Sequence, residues 1–275
     1  VLISSNGSKL SFLILNPDYT FSDYTIDILD QTHNLAQCLI DIKVSKSYKK
    51  IVIKSGYIFY DENMLKIITN TFSREFSFKF GKIKTIESNG ILVAISNEIG
   101  NISIFDIEYG DLKSKILITN DKISTFNFNQ NFKMLSCGTI EGYIETFDFK
   151  SNLLFLLKLK ETPINIIITD SWGFTIVQTQ NYLYTISPTG KIIKEKKITF
   201  GISYWCTWST EKGIDYLAIV GNKSHLYVCE AFNLDLSELH FSFSSSIKHI
   251  SYVNENHFFV ILTNNGKIHI FPITF

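Results

Sequence analysis

The residues of this chain able to do acid–base, thiol or metal chemistry are few and scattered. Its six histidines are His33, His225, His240, His249, His257 and His269, and its four cysteines are Cys38, Cys137, Cys206 and Cys229. No two cysteines stand at a metal-type C-x-x-C spacing. No G-x-S-x-G elbow, H-E-x-x-H helix motif or Gly-rich phosphate loop occurs. His269 alternates with Ile268 and Ile270, which turns it to the opposite side of a strand. Metal ligands clustered on one axis would occupy equivalent positions in successive repeats, and these histidines do not. The sequence therefore predicts no catalytic residue, no metal and no cofactor.

Other polar groups recur with a period. Asp61, Asp106, Asp148 and Glu230 follow apolar strand patterns, where a carboxylate caps a turn by accepting backbone N–H groups. Two basic clusters, Lys43/Lys46/Lys49/Lys50 and Lys191/Lys194/Lys196/Lys197, read as solvated loops and edge-strand protection, not as a phosphoinositide or RNA site. Glu195 dilutes the second. Trp205 and Trp208 flank Cys206 in ISYWCTWS, which reads as an inner strand whose rings pack between sheets. The thiols read as buried and free, as in a reducing compartment.

Lys+Arg and Asp+Glu balance at 26 each over 275 residues, so no global field points to nucleic acid. The chain holds 23 Phe and 13 Tyr and only 4 Pro. That composition suits pleated, half-buried strands. Its longest unbroken apolar run, Leu153 to Leu157, is far below the roughly 20 residues of a membrane helix. The N-x-S/T sequons at Asn6, Asn101 and Asn222 carry no inference of secretion.

Residues 96–107 (SNEIGNISIFDI) and 138–149 (GTIEGYIETFDF) are copies of one unit: a polar turn with Gly, an alternating strand, then Phe-Asp. Weaker copies lie at 7–14, 55–62, 180–187, 223–230 and 265–272. Marker residues Leu13, Tyr60, Phe105, Phe147, Ile186, Cys229 and Phe271 are separated by 47, 45, 42, 39, 43 and 42 residues. A period of about 40–45 residues is that of a four-stranded propeller blade. The sequence thus predicts an all-β, seven-bladed β-propeller, with residues 1–275 as one domain. A sandwich would not return seven near-equal units.

With each marker strand read as the third of its blade, residues 1–4 become a second strand, and the chain stops soon after a third strand. This register predicts a propeller incomplete at its closure seam, and a fragment from the C-terminal part of a longer protein. The open seam would be an unsatisfied sheet edge.

GTIEGYIETFDF resembles the ending of WD40 repeats, with Phe147-Asp148 in place of Trp-Asp. The Gly-His opening is absent throughout, so the Asp-His-Ser-Trp network of that family does not carry over, and apolar packing is expected to stiffen the blades. Ser171-Trp172-Gly173-Phe174 and Gly213-Ile214-Asp215-Tyr216 resemble the C-terminal propeller of BEACH-domain proteins of the beige and neurobeachin family. That resemblance implies a large cytoplasmic scaffold in membrane and vesicle traffic, at endomembranes. It implies peripheral membrane association through the full-length protein, with other proteins or the chain's own upstream BEACH domain as partners. The expected function is non-catalytic protein binding. The alternatives are a coat- or nucleoporin-like structural propeller and a propeller hydrolase or lyase. Partners are expected at the turns from outer to next inner strands: Asn120, Asp121, Lys122, Glu161, Thr162, Phe200, Gly201, Ser244, Ser245 and Ser246.

Overall fold

A computed structural model describes strands from Leu2 to Pro272. It describes side chains at residues 58, 60, 64–67, 81–88, 91–107, 109, 122–129, 131–239, 243, 245–252, 259–264 and 269–271. The chain divides into two compact units, Val1–Lys115 and Ile116–Phe275.

In the first unit, β1 (Leu2–Asn6), β2 (Lys9–Leu15), β3 (Phe21–Asp27) and β4 (Ala36–Cys38) form one antiparallel sheet in chain order. A second sheet holds β5 (Lys49–Ile53), β6 (Gly56–Tyr60), β7 (Met64–Thr69) and β8 (Ser73–Ser77). A third holds β9 (Ile83–Ser88), β10 (Leu92–Asn97), β11 (Asn101–Asp106) and β12 (Leu112–Leu117). Ile58, Leu65 and Ile67 of the second sheet share a buried cluster with Ile83, Ile86, Val93 and Ile95 of the third.

The second unit repeats the plan in four further sheets. These are β13 (Ile123–Asn129), β14 (Met134–Thr139), β15 (Tyr143–Asp148) and β16 (Leu153–Lys158); β17 (Asn165–Ile168), β18 (Thr175–Gln178), β19 (Tyr182–Ile186) and β20 (Ile192–Lys197); β21 (Ile202–Ser209), β22 (Asp215–Gly221), β23 (His225–Glu230) and β24 (Ser237–Leu239); and the three-stranded β25 (Ile247–Val253), β26 (Phe258–Thr263) and β27 (Ile268–Pro272). The second strands β10, β14 and β18 are buried along their whole length, as strands covered on both faces must be. The outer strands β16 and β20 expose alternate or successive residues, and β20 carries the expected lysines.

The expectation of seven blades is corrected. The fold is an all-β propeller, and its blades number five. Only five markers stand in third strands: Phe105 in β11, Phe147 in β15, Ile186 in β19, Cys229 in β23 and Phe271 in β27. Leu13 and Tyr60 fall in β2 and β6, the second strands of their sheets. Those two matches reflected the alternation common to any half-buried strand, not the blade repeat. The same finding overturns the predicted seam at the start, because the sheet of residues 2–38 has four strands with β1 first.

A second, independent repeat runs through five of the sheets, those from β9 onward. At the start of these inner strands stand Ile, a polar residue, any residue and an apolar one: IKTI (83–86), ISTF (123–126), INII (164–167, with Ile164 just before β17), ISYW (202–205) and IKHI (247–250). In β9, β13, β21 and β25 the polar residue lies at a shift in strand register. A bulge there bends the inner strand and strengthens its twist.

Apolar packing joins the sheets of the second unit, as expected. Trp208 is 2% exposed. Its ring stacks on Tyr216 and Tyr252 and meets Phe259 edge-on. Buried polar contacts join them too. Ser136 Oγ lies 2.8 Å from Thr146 Oγ1 and 3.2 Å from Thr175 Oγ1. The Thr185 hydroxyl donates to the Ala231 carbonyl across the next junction.

A candidate interaction surface

The turns from outer to next inner strands are held at a common point. Lys82, Lys122, Gly201 and Ser246 each accept a backbone N–H at their carbonyl, from Glu98, Ile140, Asn222 and Asn264, at 3.2, 3.0, 3.0 and 2.9 Å. Each bond ties the residue before an inner strand to the residue after its hairpin partner. The blade of β17 departs from this: Thr179 N–H donates to Tyr182 O at 2.9 Å, and Ile164 N–H donates to Gln178 O at 2.7 Å.

On this framework the expected partner-binding residues take different roles. Lys122, Thr162 and Gly201 are exposed. The Thr162 hydroxyl donates to Ile140 O at 2.8 Å. Glu161 is tied to the turn between β18 and β19. Its carboxylate accepts the Thr179 hydroxyl at 2.7 Å, Asn181 N–H at 2.9 Å and Asn181 Nδ2 at 2.7 Å. These bonds, the Asn181 side chain first, hold its pKa below the usual carboxylate value. Phe200 stacks on Tyr227 with ring centroids 4.5 Å apart, close over Gly221. Ser245 and Ser246 are half-buried. Asn120, Asp121 and Ser244 lie outside the described residues.

The opposite sheet ends carry an arrangement that the spacing of residues did not foretell. The two motifs Ser171-Trp172-Gly173-Phe174 and Gly213-Ile214-Asp215-Tyr216 touch. Each is the turn from inner to second strand in adjacent blades. Asp215, 4% exposed, accepts Ser171 N–H at Oδ1 and Trp172 N–H at Oδ2, each at 3.0 Å. The Ser209 hydroxyl donates to Oδ1 as well. Trp172 Nε1–H donates to the Gly213 carbonyl at 2.6 Å. Both turns need glycine: Gly173 has φ +65° and Gly213 φ +76°. On the far side of the Trp172 turn, Asn129 Nδ2 donates to Asp170 Oδ1 at 2.7 Å. The turn is therefore gripped from both neighbouring blades. Trp172, Phe174, Ile214, Asp215, Glu230 and Phe232 line a cleft of about 290 Å³.

The recurrent carboxylates divide. Asp148 caps its turn, accepting Lys150 N–H, Asn152 N–H and Asn152 Nδ2 at 2.8 Å each. The Asn152 side chain is the leading cause of its lowered pKa. Asp106 accepts Tyr109 N–H at 3.0 Å. Glu230 instead lines the cleft. Asp61 lies outside the described residues. Lys194, Lys196 and Lys197 lie on the outer strand β20, where Glu195 pairs with Lys160. Cys137 and Cys229 are buried and free, and burial raises their thiol pKa. His269 is half-buried between Phe243 and Phe271. Among the described residues, no group of three His, Cys, Asp or Glu is placed to hold a metal, and no helix is long and apolar enough to cross a membrane.

No protein-family model matches the sequence, and no curated protein does. Solved structures resemble the fold. A crystal structure of BBS1N in complex with ARL6DN aligns over 96% of this chain and 87% of that one, with TM-score 0.73 and 11% identity. A structure from the mitotic checkpoint complex aligns over 97% and 84%, with TM-score 0.69 and 7% identity. The computationally designed Ika8 protein aligns over 98% and 95%, with TM-score 0.63 and 9% identity. At these identities the likeness establishes the propeller fold and leaves the WD40 and BEACH resemblances unconfirmed.

Proposed function

We propose that this chain is a non-catalytic protein-interaction scaffold. The observation that carries the reading is the repeated backbone bond that fixes the turns before β9, β13, β21 and β25, while Lys122 and Gly201 stay exposed on those turns. Loops held on a rigid sheet framework suit partner docking, because little loop entropy is lost on binding. Two of the similar propellers come from assemblies with other proteins, one with ARL6DN and one in the mitotic checkpoint complex, which favours the same use here. A role in membrane traffic rests on the two four-residue motifs alone.

The partner surface on this reading includes Asn120, Asp121, Lys122, Glu161, Thr162, Phe200, Gly201 and Ser244 to Ser246. Photo-crosslinkers at Lys122 and Thr162, compared with one at the exposed outer-strand residue Leu154, test it in cells. Crosslinks to other proteins should gather at the two turn positions and fall when Lys122 is reversed to Glu in the Thr162 probe. Equal crosslinking at Leu154, or none at the turns, overturns the assignment.

A further inference from the structure

Among the described residues, the sheet of β25, β26 and β27 ends at its third strand, where the other six sheets carry a fourth. Its open edge leaves an apolar residue in water. Ile270 is 46% exposed. Its counterparts, each one residue before the marker of a third strand, are Ile104, Thr146, Thr185 and Val228, and none exceeds 8%. Val260, paired with Ile270 on the second strand, is fully buried, so the exposure begins at β27. The backbone at this place faces the edge as well. Just past β15, Phe149 N–H donates to Lys133 O at 3.0 Å, toward β14. Alternation then turns the backbone of Phe147 toward β14 and that of Thr146 toward β16. Ile270, the counterpart of Thr146, turns its N–H and C=O to the open edge.

The complete sheets show what covers such an edge and what it carries. Tyr184, Tyr227 and His269 each stand two residues before their markers. Opposite the first two, the outer strands place Glu195 and Glu238. In β16 the residue is Leu156, opposite Glu145, where a second carboxylate would repel. His269 Nε2 is buried without a hydrogen-bond partner, and a glutamate opposite it brings an acceptor. The residue just before that glutamate falls opposite Ile270, which an apolar side chain covers. The turn used elsewhere does not serve here. Asp148 N–H and Ser187 N–H close the turns after their strands on Asn152 O and Lys191 O, at 3.0 and 2.8 Å, and Pro272 at the same place has no N–H. The edge also adjoins the candidate partner surface, because Phe243, next to Ser244, meets His269 and Phe271 edge-on. We propose that an extended segment of a partner protein, with an apolar residue followed by glutamate, adds antiparallel to β27 as its fourth strand. This rests on the reading of the chain as a protein-binding scaffold, but it uses a sheet edge and not the turns around Lys122.

The test is an NMR titration of the whole chain with an acetylated hexapeptide that places threonine and valine around a central isoleucine-glutamate pair. The Ile270 amide should shift saturably, and its hydrogen exchange should slow at least about tenfold near saturation. N-methylation of the peptide isoleucine removes the N–H that faces Ile270 and should abolish both effects. Alanine in place of the peptide glutamate should weaken binding about fivefold. His269→Phe, which keeps a ring beside Phe243 and Phe271, should erase that difference. No saturable shift, binding indifferent to N-methylation, or a glutamate preference that is absent or survives His269→Phe overturns the proposal. So does an Ile270 amide already protected without peptide, which would mean that the chain itself or a second copy fills the edge. Crosslinking at Lys122 that persists through such a failure leaves the scaffold reading standing.

Discussion

Asp215 and Glu87 are both carboxylates drawn away from water at a contact between sheets, one in each compact unit, and the protein treats them in opposite ways. Asp215 receives two backbone N–H groups and a hydroxyl, and through them it fastens one blade's turn to the next blade. Glu87, on β9, is half-buried, and its desolvation there pushes its pKa to about 7. Its charge also helps raise the pKa of Tyr60, after burial. A buried carboxylate that is supplied with donors acts as a clamp. One left mainly to its apolar surroundings takes up a proton near neutral pH.

The largest effect expected from breaking this contrast is at the clamp. Asp215→Ala strands three donors in a buried junction and should cost about 3 kcal/mol in urea unfolding. Asp215→Asn should cost less, because its carbonyl still accepts. If both variants unfold like the parent protein, the carboxylate does not join the blades.

At Glu87 the opposite sign is expected. Its folded pKa of about 7 stands above the ordinary value of 4.5. The folded state therefore holds a proton that the unfolded chain releases between those pH values. The resulting stabilisation is complete below pH 4.5 and is lost as pH rises through 7. Glu87→Gln should flatten this dependence and raise stability at pH 8 by about 2 kcal/mol. A denaturation series from pH 4 to 8 with identical slopes for parent and variant would remove the contrast.

Smaller changes sharpen the picture. Gly213→Ala places a side chain at φ +76° with open space around it, so backbone strain alone should cost about 1 kcal/mol. Phe232→Ala removes an exposed ring and should shift stability by less than about 0.5 kcal/mol. A large loss there would mean that the ring, through Phe174, supports the fold.

The all-β character and the third strands from β11 onward could be read from the chain, because Gly turns and alternating strands recur there in clear form. Leu13 and Tyr60 could not be separated from true markers, since alternation alone fits a second strand as well as a third. The inner-strand pattern from IKTI to IKHI was the better guide: it returns five times and has no counterpart in β1 or β5. Trp208 was legible as packing. Phe200 was not, because a ring in a turn gives no sign that Tyr227 and Gly221 wait beneath it. The SWGF and GID motifs were visible 42 residues apart, but only strand order places two such turns side by side. Glu230 looked like Asp106 and Asp148 in sequence, and it differs in accepting the Asn233 side-chain amide where those two accept backbone N–H groups.

The central claim is that the Asp215 carboxylate holds the Trp172 turn rigid against the adjoining blade. Hydrogen exchange at the Ser171 and Trp172 amides measures this directly. Both should exchange as slowly as the strand amides of β22, and Asp215→Ala should release them. Exchange in the parent protein as fast as at the exposed amide of Lys212 would contradict the account.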